Sequence, residues 1–297
     1  MVEELLRDGF AYHDTQSERF AGELEAAVAA GSVTQEHWLR LLNVCNHTIG
    51  EHMGDWPRAR RLAERVLEGR VAEEATATVW SRLATARHMA GDPLAATLAE
   101  FEALKASDDI RGAYVEGKVN LAIALMGSGQ LEAGASLYES VVPLADPSAP
   151  SAADRSLAVA SNNLATDLLE VENRSPAQER LMVAAAENAL IFWRKAGTWV
   201  NEERALYLKA LVANAVGQPD ESLAISGQAL GIIAANGGGE EIDVCFLNLS
   251  RANAFGLKGE AAAHREALTA ADAEAATWDD DGLKAWYAEE RAKIRLI

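Results

Sequence analysis

Apolar residues recur along most of the chain at intervals of three and four, the spacing of one face of an α-helix. Val115, Val119, Ala122 and Met126 fall at i, i+4, i+7 and i+11, with leucines beside them. This apolar stripe is too wide for a helix covered on one side only, so we expect such helices to pack between neighbours. Runs of β-branched residues with period-two alternation are missing, which predicts an all-α protein.

Short turn signals separate the helical segments. Gly91, Asp92 and Pro93 place a helix stop, an N-cap and a first-turn proline in consecutive positions. Similar combinations occur at three other places: Gly54-Asp55-Trp56-Pro57, Ser175-Pro176 and Gly217-Gln218-Pro219. Because a tight turn forces consecutive helices to lie antiparallel, the chain is predicted to form a series of αα-hairpins.

A loose internal period accompanies the hairpins. A small residue at one position of each first helix recurs at Ala84, Ala122, Ala165, Ala210 and Ala252, with separations of 38, 43, 45 and 42 residues. A period of this size is typical of stacked helical repeats, in which each unit buries its apolar face against the next. Small residues are expected where the two helices of a hairpin approach closely.

The spacing of Trp80, Leu83, Ala84, Gly91 and Ala96 resembles that of tetratricopeptide (TPR) repeats. The length of the repeat, and the tripeptide Asn-Leu-Ala that begins at both residue 120 and residue 163, are most similar to the longer variety. That variety occurs in kinesin light chains and in bacterial peptide-sensing regulators. The resemblance covers roughly residues 34 to 275, and it implies a right-handed α-solenoid of antiparallel helical hairpins.

The expected organisation has three parts: N-terminal capping helices in 1–33, an array of about six TPR-like hairpins in 34–277, and a C-terminal capping helix in 278–297. The first hairpin departs from the pattern, since Trp38 lies sixteen residues before Gly54 where the repeat expects eleven.

The charge balance narrows the range of partners. The formal net charge is −18, and acidic residues exceed basic ones in every block of about sixty residues. Such a surface repels phosphate backbones and anionic lipids, so no nucleic-acid or membrane partner is predicted, and a neutral or basic protein or peptide is favoured. Cys45 and Cys245 are far apart and outside any metal-ligand spacing, and the N-terminus lacks a signal peptide. A cytoplasmic location with reduced thiols is therefore expected.

Asn120, Asn162 and Asn163 are the first candidates for ligand binding. They fall on the inner helices of predicted hairpins, which face the concave side of a solenoid. An amide donates and accepts hydrogen bonds, so it suits the backbone of an extended peptide. The resemblance implies that asparagines at these positions contact peptides. The alternative is that they bond to neighbouring helices and brace the superhelix.

Five further residues are candidates, on the inner helices of the second and fifth predicted hairpins. Their side chains could supply charge and hydrogen bonds for an acidic ligand or a terminal carboxylate. The alternative is that they are isolated polar groups on a solvated helix face. These residues are Arg82, His88, Arg204, Tyr207 and Asn214.

Motifs for catalysis and metal binding give no positive prediction. His47 and Glu51 share a helical face, but His52 is rotated from it by about a quarter turn of an α-helix, so a metal needs a third ligand from elsewhere. The run that starts at Asp279 lacks the final carboxylate of a calcium loop. We therefore predict no metal, no cofactor and no enzymatic activity. The predicted function is a scaffold that binds proteins or peptides on a concave face, and the alternative is a sensor whose superhelix responds to a small peptide or metabolite.

Overall fold

We describe the protein from a computed structural model, over residues 2–68, 75–146 and 148–294. Within these residues the chain forms fifteen α-helices and no β-strand, which confirms the predicted all-α class. None of the described helices is long and apolar enough to cross a membrane. Residues 295–297 of the predicted C-terminal cap lie outside the described part of the chain.

The helices divide between two compact units, residues 1–160 and 161–297, and the boundary falls inside α9. The first unit contains α1 (Val2–Asp8), α2 (Ser17–Ala29), α3 (Trp38–Val44), α4 (Trp56–Leu67), α5 (Ala77–Met89), α6 (Pro93–Lys105), α7 (Ile110–Gly127), α8 (Leu131–Val141) and the start of α9 (Asp154–Glu170). The second contains the rest of α9, then α10 (Pro176–Ala196), α11 (Trp199–Ala215), α12 (Pro219–Ala235), α13 (Glu241–Lys258), α14 (Ala261–Ala275) and α15 (Asp281–Lys293).

Consecutive helices pack as hairpins, as the turn signals predict. In the first unit α5 packs on α6 and α7 on α8, while in the second α11 packs on α12 and α13 on α14. The turn between α5 and α6 illustrates the chemistry. Gly91 has φ of 80°, and the carboxylate of Asp92 accepts a hydrogen bond from the backbone N–H of Ala95 at 3.0 Å. The positive φ ends one helix at no steric cost, and the aspartate caps the next.

First helices also pack on first helices. We use first helix for the earlier helix of each hairpin, namely α5, α7, α11 and α13. Within the first unit α5 contacts α7, and within the second α11 contacts α13. In both units one hairpin is thus covered by the next along the chain, which explains why the apolar stripes are wider than a single helix contact needs.

Close packing inside a hairpin depends on small side chains. Gly134 of α8 lies so near to α7 that a Cβ atom on it would be 2.7 Å from the carbonyl oxygen of Ala122 and would overlap the side chain of Met126. This confirms that small residues occupy the closest point between the two helices.

The departure of the first hairpin from the repeat pattern has a local cause. After α3 the helix continues as a π-helix over Cys45–His52, in which the backbone N–H of Met53 donates to the carbonyl of Thr48 at 3.1 Å. A π-helix contains more residues per turn than an α-helix, so it absorbs part of the extra length. Gly50 leaves room for the ring of Trp56, which would lie 2.5 Å from a Cβ at that position.

The N-terminal helices share the core of this hairpin. Leu6 of α1 and Phe20 and Leu24 of α2 are fully buried in the same apolar cluster as Trp38 and Leu41 of α3. Burying these side chains stabilises the start of the first unit by about 1.5–3 kcal/mol each. The segment predicted as N-terminal caps therefore contributes directly to the core.

We predict opposite effects for two glycine-to-alanine substitutions. Gly134→Ala should lower the free energy of unfolding by about 1–3 kcal/mol, because the added methyl group meets backbone. Gly227→Ala, on α12 with open space around its Cα, should raise it by up to about 1 kcal/mol through helix propensity. Urea unfolding followed by circular dichroism measures both, and equal effects would contradict the close approach of α7 and α8.

Candidate functional site

Asn120 is buried between first helices. Its side chain is 1% exposed, and its Nδ2 donates a hydrogen bond to Oγ of Ser81 on α5 at 2.9 Å. Among the described residues no group donates to its Oδ1. The amide therefore links α7 to α5 across two successive hairpins.

Two other asparagines make the same kind of link. Nδ2 of Asn46 donates to the backbone carbonyl of Arg82 at 3.0 Å, and Nδ2 of Asn214 donates to the carbonyl and Oγ of Ser250 at 3.0 and 3.2 Å. All three side chains are buried. These buried hydrogen bonds between neighbouring helices favour a bracing role for Asn120 and Asn214, and their contact with a ligand stays a prediction. Asn46 was not predicted, since no repeat motif marks its position.

The remaining predicted residues of the first unit differ in accessibility. His88 is exposed at the end of α5. Arg82 is largely enclosed, and burial lowers the pKa of its guanidinium although Glu116 and Glu51 oppose the shift. Arg82 thus lies near the carboxylates of Glu116 and Glu51, and its contact with a ligand stays a prediction.

Asn162 and Asn163 lie on α9. Asn162 is half-buried and Asn163 is exposed. Their role in binding stays a prediction, and Asn163 is the more accessible of the two.

Arg204 of α11 is exposed but already paired. Its Nε and Nη2 lie 3.0 and 2.9 Å from Oδ2 of Asp243, and Nη2 lies 3.5 Å from Glu240. These acids belong to the next hairpin, so the cation balances local negative charge.

Glu203, which the sequence analysis did not select, is fully buried beside this ion pair. Loss of hydration on burial, together with the nearby carboxylate of Asp243, raises the pKa of Glu203 to about 8. A buried carboxylic acid held neutral at physiological pH keeps a proton that an exposed glutamate would release.

An aromatic cluster covers the face of α13 that lies towards α15. Phe246 packs against Trp286 and Tyr287 of α15, with ring centroids 4.2 and 6.1 Å apart. Trp278 stacks on the same ring at 6.2 Å, and Tyr207 of α11 lies at 6.5 Å. The predicted residue Tyr207 thus belongs to an apolar surface that already holds a helix.

The basic end of α15 reaches acidic residues of other helices. Arg291 pairs with Asp272 of α14 at 3.1 Å, and Lys293 lies 3.7 Å from Glu170 at the end of α9. Helix α15 thus contacts Phe246 of α13, Asp272 of α14 and Glu170 of α9. We call this surface, defined by Glu170, Tyr207 and Phe246, the α15 face. Helix α15 itself buries only Tyr287.

A second apolar surface lies in the first unit, between α6 and α7. Leu94, Leu98 and Phe101 follow one another at i, i+4 and i+7 along α6 and are 72%, 56% and 55% exposed. With Tyr114 of α7, Phe101 lines a groove of about 220 Å³. A contiguous exposed apolar stripe of this kind is typical of a protein-binding surface.

Three histidines come together near the N-terminus. Nε2 of His13, in the connection between α1 and α2, lies 3.1 Å from Nε2 of His47, and candidate ligand atoms of His13, His47 and His52 all lie within 4.8 Å of one another. The prediction that His52 is rotated away from the helical face of His47 assumes α-helical geometry. That assumption is wrong because both residues lie in the π-helix.

No protein-family model matches the chain, and no curated protein sequence matches it. Several solved structures do match the chain. A substituted form of the nearly identical TPR-like repeats of a kinesin light chain from Podosopora anserina aligns with a TM-score of 0.50 and 17% identity, over 81% of this chain and 96% of that one. This chain has a TPR-like helical-repeat fold.

Two further structures share the repeated helical hairpins. The unsubstituted form of the same Podosopora anserina repeats aligns with a TM-score of 0.48 and 16% identity, over 71% of this chain and all of that one. A signal-transduction ATPase with a tetratricopeptide-repeat sensor, from Pyrococcus horikoshii, aligns with a TM-score of 0.43 and 16% identity, over 95% of this chain and 46% of that one. The alignment at a TM-score of 0.50 confirms the predicted resemblance at the level of the fold.

We expect Asn120→Ala to lower the free energy of unfolding by about 1–2 kcal/mol, because it leaves Ser81 without its partner in a buried position. Asn163→Ala, at an exposed position, should change it by less than about 0.5 kcal/mol. Chemical denaturation of the two variants measures the difference. Equal stability of both variants would argue against the brace.

Glu203→Gln should remove a pH dependence of stability. Because the folded-state pKa of Glu203 is raised above its ordinary value of 4.5, the folded chain holds a proton that the unfolded chain releases, and stability falls as pH rises from about 4.5 to about 8. The neutral glutamine should match the unmodified chain near pH 4 and exceed it at pH 9 by roughly 1–3 kcal/mol. Thermal melts across this range test it, with exposed Glu241→Gln as the control.

Proposed function

We propose that this protein is a non-enzymatic binding module that holds an extended peptide or a helix of a partner protein on the first helices of its hairpins. The observation that carries the proposal is the α15 face, where Phe246 and Tyr207 meet an amphipathic helix of the chain itself. Docking of an apolar helix face into a groove between helices is a common mode of peptide recognition.

The charges along α15 support a neutral or basic partner. The basic residues Arg291 and Lys293 meet the carboxylates of Asp272 and Glu170, which are part of a chain with net charge −18. A ligand with an aromatic anchor and a basic end would repeat these contacts, and long-range attraction would speed its approach.

The exposed stripe of α6 supports a second contact with protein. Leu94, Leu98 and Phe101 occupy one face at helical spacing, so they suit a partner's apolar surface better than a small polar metabolite.

A sensor is the second candidate, and the weak attachment of α15 favours it. Because α15 buries only Tyr287, a ligand that binds the α15 face more tightly would displace it and change the surface presented to an effector. Coupling of this kind requires that the ligand bind the chain with α15 displaced more tightly than the chain with α15 in place.

The experiment uses a labelled synthetic peptide with the sequence of residues 279–294. The recipient is the full chain carrying Trp286→Ala and Lys293→Glu, which weaken its own α15 at side chains that are about half exposed. The peptide should bind this variant at least about tenfold more tightly than the unmodified chain, whose tethered helix competes at high effective concentration. Fluorescence anisotropy measures the affinities.

Two controls make the result specific. A peptide with alanine in place of Trp286 and Tyr287 should not bind, and the full chain with Leu257→Ala, at an exposed residue far along α13 from Phe246, should behave like the unmodified chain. Failure of the native peptide to bind a folded variant would refute the proposal. Small-angle scattering of the complex separates the two candidates, since a change of dimensions supports the sensor and constant dimensions support the scaffold.

A further inference from the structure

We propose that the chain binds a divalent transition-metal ion of the zinc class through four side chains: His13, Asp14, His47 and His52. The site lies where the connection between α1 and α2 meets the π-helix. It is separate from the α15 face, so it does not rest on the proposed function.

The donor atoms have the separations of a metal-ligand set. Nε2 of His13 lies 3.1 Å from Nε2 of His47 and 3.1 Å from Oδ1 of Asp14, while Nδ1 of His52 lies 3.2 Å from the same oxygen. Ligands about 2.0–2.1 Å from a tetrahedral zinc ion are roughly 3.3 Å from one another. Three donor-atom separations are thus close to this value, and the candidate ligand atoms of the three histidines lie within 4.8 Å of one another, so the side chains must move inwards to share one ion.

The three imidazole rings also lie side by side. The centroids of His13 and His47 are 5.1 Å apart, those of His13 and His52 are 5.1 Å apart, and those of His47 and His52 are 4.3 Å apart. Three such rings repel one another when protonated. A shared cation bound to neutral imidazoles turns this arrangement into a stabilising one.

The π-helix brings two of the proposed ligands onto the same face. In an α-helix, residues five apart are rotated by about 140° relative to one another. In a π-helix the hydrogen bonds join residues i and i+5, so His47 and His52 lie nearly above one another. π-helical turns occur frequently at functional sites, and here the turn places two histidines against a third.

A neighbouring carboxylate orients one ligand. Nδ1 of His47 forms a hydrogen bond with Oε2 of Glu51 at 2.8 Å, which directs Nε2 towards His13. A carboxylate behind a coordinating histidine is a recurrent feature of metal sites, where it fixes the tautomer and increases the basicity of the ligand.

The ligand set selects the class of ion. Three imidazole nitrogens and one carboxylate oxygen suit zinc, cobalt or nickel, whereas magnesium and calcium prefer oxygen ligands alone. His13 is buried and Asp14 is exposed, so an ion can reach the site from solvent. Once bound, it fastens the connection between α1 and α2 to the first hairpin.

The test uses the full chain after treatment with a chelator, titrated with Zn²⁺ against a competing chromogenic chelator and with Co²⁺ by visible absorption. We expect one ion per chain, Co²⁺ absorption bands typical of tetrahedral coordination by nitrogen and oxygen, and no competition from Mg²⁺ or Ca²⁺. Zinc should also raise the melting temperature, because it binds the folded chain preferentially.

Variants assign the ion to these residues. His52→Ala and Asp14→Asn should each weaken zinc binding by at least about tenfold and reduce the thermal shift, and His13→Ala should do so more strongly. His88→Ala, at an exposed histidine on α5, is the matched control and should bind normally. If His13→Ala does not fold, the two substitutions at exposed ligands still decide the question. The absence of stoichiometric binding, or equal affinity in these two variants and the unmodified chain, would overturn the proposal.

Discussion

The fold depends on one constraint: a two-helix hairpin has more apolar surface than its own two helices can cover. Gly134 allows α8 to approach the backbone of α7, which closes the inside of one hairpin. On its other sides α7 packs on α5, on α6 and on the π-helix. Stacking is therefore required for burial, and the polar residues between first helices must find partners in the next hairpin.

The buried asparagines follow from that requirement. A layer of first helices brings polar positions of neighbouring hairpins face to face, and an amide can bridge them from one helix to the next. Asn120 and Asn214 both do so. A side chain that makes such a bridge is buried, whereas Phe246 belongs to the α15 face, where we propose that a partner binds.

Much of the fold was predictable from local signals. The turn at Gly91 and Asp92 and the small residue at Ala122 depend on backbone conformation and close contact, and both leave clear marks in the sequence. The candidate site was less predictable. The burial of Asn120 and the raised pKa of Glu203 depend on the distance to the next hairpin, which no local pattern reports. The position of His52 was predicted wrongly because no reliable pattern of residues marks a change from an α-helix to a π-helix.

The π-helix has a consequence for the tolerance of the chain to change in length. Between Cys45 and His52 the number of residues per turn, rather than their identity alone, decides which side chains share a face. Loss of one residue there would allow the segment to relax into ordinary α-helical winding. The same amino acids would then point in different directions, so in this segment spacing carries chemical information as much as sequence does.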